Sequence, residues 1–445
     1  MSENINGFLK FRGGVHPPEG KEISLGKPIA EPPLLEKYQV VLRQHIGAPP
    51  NPVVGKGDKV GKGQPLAEPG GFVSAPVHSP ISGMVVGIVD VPGPMGPTAK
   101  AVEIEADGED KPAYPFDPIE DWRSASPDDL KKRVGEAGIV GMGGAAFPTA
   151  VKLSPPADKK IDLLVINAAE CEPYLTADHT LMLERAKEIV EGVEMLAKIL
   201  GVDKTIIGIE NNKPDAISLL KEAVSGTAVS VQGLRVRYPQ GAEKQLIYAV
   251  SGRAVPAGGL PMDVGCVVQN VGTAYAVKEA VADGKPLFER VTTITGSPVV
   301  DPGNWRLRVG TPLAKALEFA GGVKGEVAKV IFGGPMMGMA QKSLEVPVMK
   351  NTSGILLMAP DEISQFSSDP CIRCGNCVEA CPMNLLPGTL SAAIENEKFD
   401  IAEDYFAMDC MECGSCAYVC PSRRPLVQHF KRAKSEIAAR RRAAK

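Results

Sequence analysis

Cys371, Cys374, Cys377 and Cys381 follow the spacing C-x2-C-x2-C-x3-C with Pro382 next, and Cys410, Cys413, Cys416 and Cys420 repeat it before Pro421. A segment this dense in thiols has too little apolar side chain to fold on itself. It has to fold around something that the thiolates hold. Eight of the ten cysteines are committed to these runs, which favours metal ligation in a reducing compartment over a disulfide framework. Two zinc sites or two sets of structural cysteines are the alternatives, and the duplicated pattern with its matching prolines argues against both. The expectation is a pair of 4Fe-4S clusters.

The spacing is that of the two-cluster bacterial ferredoxins, in which three cysteines wrap one cubane and the fourth reaches the other. The expected ligand sets are therefore crossed: Cys371, Cys374, Cys377 and Cys420 for one cluster, and Cys381, Cys410, Cys413 and Cys416 for the other. Gly375 and Gly414 keep the loops narrow, and each proline ends its run. Such clusters pass single electrons and break no bonds, so the sequence upstream has to supply the electrons.

That upstream sequence is long. With 445 residues and 44% apolar content the chain divides into several domains. A net charge of -4 gives no overall attraction for nucleic acid or an anionic membrane, so no nucleic-acid partner is expected. No stretch approaches the roughly 20 apolar residues of a membrane span, and MSENINGFLKFRGG lacks a signal-peptide core. The chain is expected to be soluble and cytoplasmic, with no transmembrane segment of its own.

The fold class is multidomain α/β and α+β. After an N-terminal segment (1–37), residues 38–110 are short β-type runs broken by Gly and Pro. Their order, GDKV, GQPL, APVHSPISGMV, resembles the barrel-sandwich hybrids of biotinyl and lipoyl carriers. The turn that would hold the modified lysine reads Glu68-Pro69-Gly70-Gly71-Phe72, so the module is structural. Residues 120–275 alternate between periods: a helix near Asp128–Ala137, a strand from Ile161, a helix from Leu181 to Leu200 stopped by Gly201, the strand TIIGIE, a helix after Pro214 and the strand LRVRY. This predicts a Rossmann-like parallel sheet flanked by helices. Residues 285–350 read as a small α+β module, 360–427 as the ferredoxin-like α-helical domain (with the core of it from Ser368 to about Pro425), and 428–445 as a basic tail. The tail is either a solvated helix end or a contact for anionic lipid.

GMGGAAFPTAVK (141–152) is glycine-rich and suits close approach of backbone amides to a phosphate, although a plain tight turn fits it as well. Three further segments accompany it: NAAECEP at the end of the Ile161 strand, YPQGAE and QNVGT. In this order the four resemble GRGGAGFPT, NADESEP, YICGEE and NNVET of the flavoprotein subunit of respiratory complex I, which binds FMN and oxidises NADH. The resemblance implies FMN contacts by Gly141, Gly143, Gly144, Lys152, Asn167, Tyr238, Gly241, Glu243, Asn270 and Thr273. It puts Phe147, Glu170 and Glu172 on the NADH side, with no catalytic residue beyond the flavin. Ala169 and Ala242 stand where that family has acidic residues, and the aromatic residues after the family's lysine are absent here.

From GFLKFRGGVHPPEGKEIS, starting at Gly7, to about Lys431, the whole chain resembles the C subunit of the bacterial Rnf ion-translocating electron-transport complex. GGPMMG marks its β-grasp module of the SLBB type. The family implies a peripheral subunit on the cytoplasmic face of the membrane, with integral membrane and ferredoxin-type subunits as partners. Its cofactors would be FMN and two 4Fe-4S clusters, its substrate NADH or NAD+, with ferredoxin acting indirectly. Two other readings stay open: a soluble flavin/iron-sulfur reductase such as a cobalamin reductase, and a flavin-free electron-relay and docking subunit. Cys171 and Cys266 read as buried thiols outside the clusters. His16, His45, His78, His179 and His429 show no ligand spacing, and Met336, Met337 and Met339 read as filling a gap in a core.

Overall fold

The computed structural model of the chain describes residues 10–94, 96–367 and 369–443. Gly7 to Leu9 of the opening motif, Ser368, and the last two residues of the basic tail lie outside the described residues.

The first module packs two antiparallel sheets. One orders Lys37–Val41, Thr98–Ala106, Gly83–Pro92 and Lys59–Val60; the other orders Asn51–Pro52, Pro65–Glu68 and Val77–His78. Alternate residues point inward, as a period of two requires, so Tyr38, Val40, Leu66, Ile81, Val85 and Ile104 share one core.

The second module is a four-stranded parallel sheet in the order Val229–Leu234, Thr205–Glu210, Leu163–Asn167, Cys266–Asn270. Helices Pro127–Glu136, Ala177–Leu200 and Val271–Ala282 cover one face, and Glu243–Ser251 the other. Burial on both faces explains why LLVIN and TIIGIE read as unbroken apolar runs. The long helix begins four residues before Leu181 and ends at Gly201, whose φ of 64° closes it in a left-handed cap.

The outer strand is Val229–Leu234 and not LRVRY. Leu234 pairs with Glu210, the last residue of the neighbouring strand, and the register ends there. Arg235–Tyr238 leave the sheet, and Tyr238 forms an isolated antiparallel bridge with Val15 before a cis bond to Pro239.

A five-stranded mixed sheet follows: Gly303–Arg308, Glu289–Thr295, Gly354–Met358, Lys329–Phe332, Met339–Ala340. Its middle strand, GILLM, lies past the boundary at 350 drawn from the sequence. It pairs in parallel with Glu289–Thr295 and antiparallel with Lys329–Phe332, and belongs to this sheet.

The cluster segment is built of short helices and one long one, Leu426–Ala443. That helix buries Leu426, Phe430, Ala433 and Ile437, three of them against Leu390, Ile394 and Phe399. It runs unbroken across the boundary drawn at 427, so much of the expected tail is part of the cluster domain. Lys434, Arg432 and Arg441 form ion pairs with Glu412, Glu397 and Glu403 of the same domain.

The N-terminal segment straps the modules together. Gly14 N–H donates to Ala380 O at 2.9 Å, Val15 bridges Tyr238, and Ala30 bridges Trp305. Gly13 has a φ of 76°, and a Cβ there would meet Cys381 O at 2.5 Å, so only glycine lets the strap pass.

Candidate flavin and cluster sites

The glycine-rich loop sits at the carboxyl end of the parallel sheet, where open α/β folds take ligands. Gly141 N–H donates to Phe147 O at 2.8 Å and Ala146 N–H to Gly141 O at 3.2 Å, closing the loop on itself. Met142 N–H donates to Thr273 Oγ1 at 3.0 Å and pins the loop to the start of helix Val271–Ala282. Asn270 caps that helix by accepting from Gly272 N–H at 2.8 Å, and its side chain lies beside Gly143. Among the described residues, the N–H groups of Gly143, Gly144 and Ala145 have no protein acceptor. Free amides beside a helix N-terminus make a cradle for an anion such as a phosphate.

Lys152 Nζ lies near this end of the sheet, 2.9 Å from Glu243 Oε1 and 3.2 Å from Val268 O. Asn167 Nδ2 donates to Gly241 O at 2.7 Å, tying the ends of two motifs that are 74 residues apart. Gln269 and Thr149 are buried, and each has side-chain polar atoms with no partner among the described residues. Buried orphan groups of this kind call for a polar ligand. Together with the cradle and the Lys152 cation they fit a flavin mononucleotide.

The two expected NADH-side carboxylates are turned inward. Glu170 accepts from the N–H groups of Asp178 at 2.7 Å and His179 at 3.2 Å, at the start of helix Ala177–Leu200. Burial pushes its carboxyl pKa up to about 7, against the pull of Lys21. Glu172 Oε1 accepts from Met336 N–H and Met337 N–H at 2.8 Å each, and burial raises its pKa as well. A Cβ on Gly334 would come within 2.1 Å of Glu172 Cγ, which accounts for a glycine in GGPMMG. Phe147 is half-buried in the glycine-rich loop. Tyr238 lies on the cluster side, where its hydroxyl donates to Cys413 O at 2.7 Å.

Sequence reasoning missed Lys21, which donates to the backbone oxygens of Glu170, Glu172 and Leu175 and so fixes the ECEP loop. It also missed Lys213, buried, donating to Ala169 O at 2.7 Å. The signal for Lys21 was its place in HPPEGK. Of the two remaining cysteines, Cys266 is buried, and Cys171 Sγ accepts from Gly241 N–H at 3.2 Å, with burial pushing its thiol up to about 12.

Cys381, Cys410, Cys413 and Cys416 line one cavity whose other walls include Leu385 and Phe430. Burial raises the Cys416 thiol most, and the neighbouring sulfurs of Cys410, Cys413 and Cys381 add to it, with Cys377 last; for Cys377, burial is joined by Cys371, Cys420 and Cys374. Among the described residues no three His, Cys, Asp or Glu side chains converge closely enough to hold one ion. Cys371 and Cys374 are exposed, whereas Cys381, Cys413 and Cys416 are buried.

Residues 9–109 match the RnfC barrel-sandwich hybrid domain, 134–279 the Nuo51 FMN-binding domain, 291–340 the SLBB domain and 370–423 the 4Fe-4S dicluster domain. The C subunit of the proton-translocating ferredoxin:NAD(+) oxidoreductase complex of Clostridium ljungdahlii is 50% identical over 96% of this chain and 94% of its own. The chain belongs to the RnfC family. Another RnfC relative, the C subunit of the Na(+)-translocating ferredoxin:NAD(+) oxidoreductase complex of Acetobacterium woodii, is 46% identical over 97% of this chain and 98% of its own. Beyond the RnfC family the fold recurs in an NAD+-reducing NiFe hydrogenase in its air-oxidized state, with a TM-score of 0.51 and 21% identity over 71% of this chain and 64% of the hydrogenase chain. Among the described residues no helix is long and apolar enough to cross a membrane.

Proposed function

We propose that the chain is the peripheral, NADH-reacting subunit of a membrane-bound ferredoxin:NAD+ oxidoreductase complex that couples electron transfer to ion translocation. Its FMN-binding and 4Fe-4S domains and its RnfC membership support this reading. The observation that carries it is the glycine-rich loop, pinned by Met142 and Thr273 to a helix N-terminus with its amides free. When bound, FMN exchanges a hydride with NADH or NAD+ and the clusters exchange single electrons, so together they join two-electron to one-electron chemistry.

The residues divide this work. Gly143 and Gly144, on the loop that Gly141 closes, bring amides to the FMN phosphate, beside the helix that Asn270 and Thr273 begin. Lys152, held by Glu243, offers positive charge where flavin reduction builds up negative charge. Asn167 and Gly241 shape the strand ends, and Phe147 faces the nicotinamide. Glu170 and Glu172 act from within, fixing the ECEP loop on which the NADH side rests. Tyr238 joins the flavin domain to Cys413 of the buried cluster. The cluster of Cys371, Cys374, Cys377 and Cys420, with its exposed loop, faces the electron partner. Integral membrane and ferredoxin-type subunits are the partners, and the chain docks on the cytoplasmic face of the membrane.

The test is a visible spectrum of the reconstituted full chain with and without NADH. Equimolar FMN that NADH bleaches is the expected result. Absence of flavin and of NADH-dependent bleaching would overturn the reading in favour of a flavin-free relay. Co-purification with integral membrane subunits separates it from a soluble reductase.

A further inference from the structure

We infer that the hairpin tip of the barrel module supplies an aromatic face to the dinucleotide, with Phe72 stacking on the adenine end of NADH. The inference rests on the proposed flavin and NADH site. Phe72 is 78% exposed and is the sole exposed aromatic among the described residues before Phe366; none of the aromatic side chains of residues 120–275 is exposed. A lone exposed aromatic needs no explanation by itself. The loop that carries this one is hydrogen-bonded to the barrel loop that reaches the cradle.

Its hairpin is locked to the neighbouring barrel loop. Ala48 N–H donates to Val73 O at 2.9 Å, and Ser74 Oγ joins Gly70 N–H to Ala48 O. Two glycines permit the lock: a Cβ at Gly47 would meet Val73 O, and one at Gly70 would meet Pro49 O, both at 2.1 Å. The same barrel loop reaches the flavin site, because Ile46 N–H donates to Ala146 O at 3.4 Å, beside the free amides. From Ala146 to Phe72 this chain of contacts spans at most roughly 20 Å. Ile46, on the linking loop, is itself 55% exposed. On the other side Asn351 Nδ2 donates to Gly144 O at 3.1 Å. The glycine-rich loop thus meets the barrel loop on one side and a polar side chain on the other; with its amides given to the FMN phosphate, the adenine of a dinucleotide seated against the flavin lies beyond them, toward the exposed ring. The turn that would carry a lysine in a carrier domain here carries the ring.

The test uses the full chain loaded with FMN and clusters, with ADP-ribose as the probe because it has the adenine end and no hydride. Binding is measured by calorimetry, and flavin bleaching by NADH titration. Phe72→Ala should weaken ADP-ribose binding about tenfold, the loss expected for one base stacked on an aromatic ring, and leave FMN and iron content unchanged. Phe72→Trp should restore it. Wild-type affinity in Phe72→Ala would overturn the inference alone, and if that variant instead failed to assemble with membrane partners, the tip would be a docking element. A wild-type chain that holds FMN yet neither binds ADP-ribose nor is bleached by NADH would overturn the NADH reading itself.

Discussion

The ammonium of Lys21 stands 3.8 Å from the carboxylate of Glu170, with both side chains nearly sealed from solvent. Lys21 also donates to backbone oxygens on the ECEP loop. A residue of the N-terminal strap thereby holds the loop on the rim of the flavin site. Lys21→Met removes the cation and leaves both the carboxylate and the carbonyls unpaired. The expected loss of stability is about 3–5 kcal/mol, the usual result of halving a buried pair. Denaturant unfolding measures it, and an unchanged midpoint would show that the strap carries no such role.

The raised pKa of Glu170 fixes the sign of a pH effect. The folded chain keeps this proton up to about pH 7, whereas the ordinary value is 4.5. Between these the folded state binds more protons, so Glu170's contribution to stability is full below about 4.5 and is lost as pH rises toward 7. The loss is on the order of 3 kcal/mol. Unfolding curves at several pH values, compared between wild type and Glu170→Gln, should show a flatter dependence in the variant across that window.

Tyr238→Phe removes the donor to Cys413 O and leaves a buried carbonyl unpaired. A loss of about 1–2 kcal/mol is expected, with iron and flavin content kept. Cluster reduction by NADH, followed by stopped-flow absorbance, should slow; an unaltered rate would assign the phenol a structural role alone.

Lys152→Ala should weaken FMN retention by about tenfold, the scale of one charged hydrogen bond, and leave iron unchanged. Loss of iron with flavin retained would show that the lysine had been given the wrong cofactor.

Cys420→Ser should damage the cluster whose other ligands lie some forty residues earlier, Cys371, Cys374 and Cys377, and spare the one held by Cys381, Cys410, Cys413 and Cys416. Iron content should fall to about half, as the crossed two-cluster pattern implies. Electron paramagnetic resonance of the reduced chain should lose the spin coupling between clusters; coupling retained would argue against crossed ligation.

The 4Fe-4S domain and the parallel sheet were legible because their information is local: a fixed cysteine spacing in one case, apolar runs between turn signals in the other. The inward turn of Glu172 was not. A carboxylate just past a strand end reads as facing a cleft, and its actual partners, the amides of Met336 and Met337, lie 164 and 165 residues away. Lys21 was hidden in the same way, since no periodicity reports a contact across 149 residues. The strand Gly354–Met358 was left between domains because five apolar residues cannot show which distant strands they pair with. LRVRY has strand-like composition, but the length of the neighbouring strand ended the pairing at Leu234.

The helix Leu426–Ala443 ties the end of the chain to the buried cysteine set. Its residues Val427 and Phe430 line the cavity of that set, and Ile437 and Ala433 hold the helix against the same domain. A cluster seated among these cysteines would share its walls with the helix, so loss of the cluster should loosen the helix, and removal of the helix should expose the cluster to solvent.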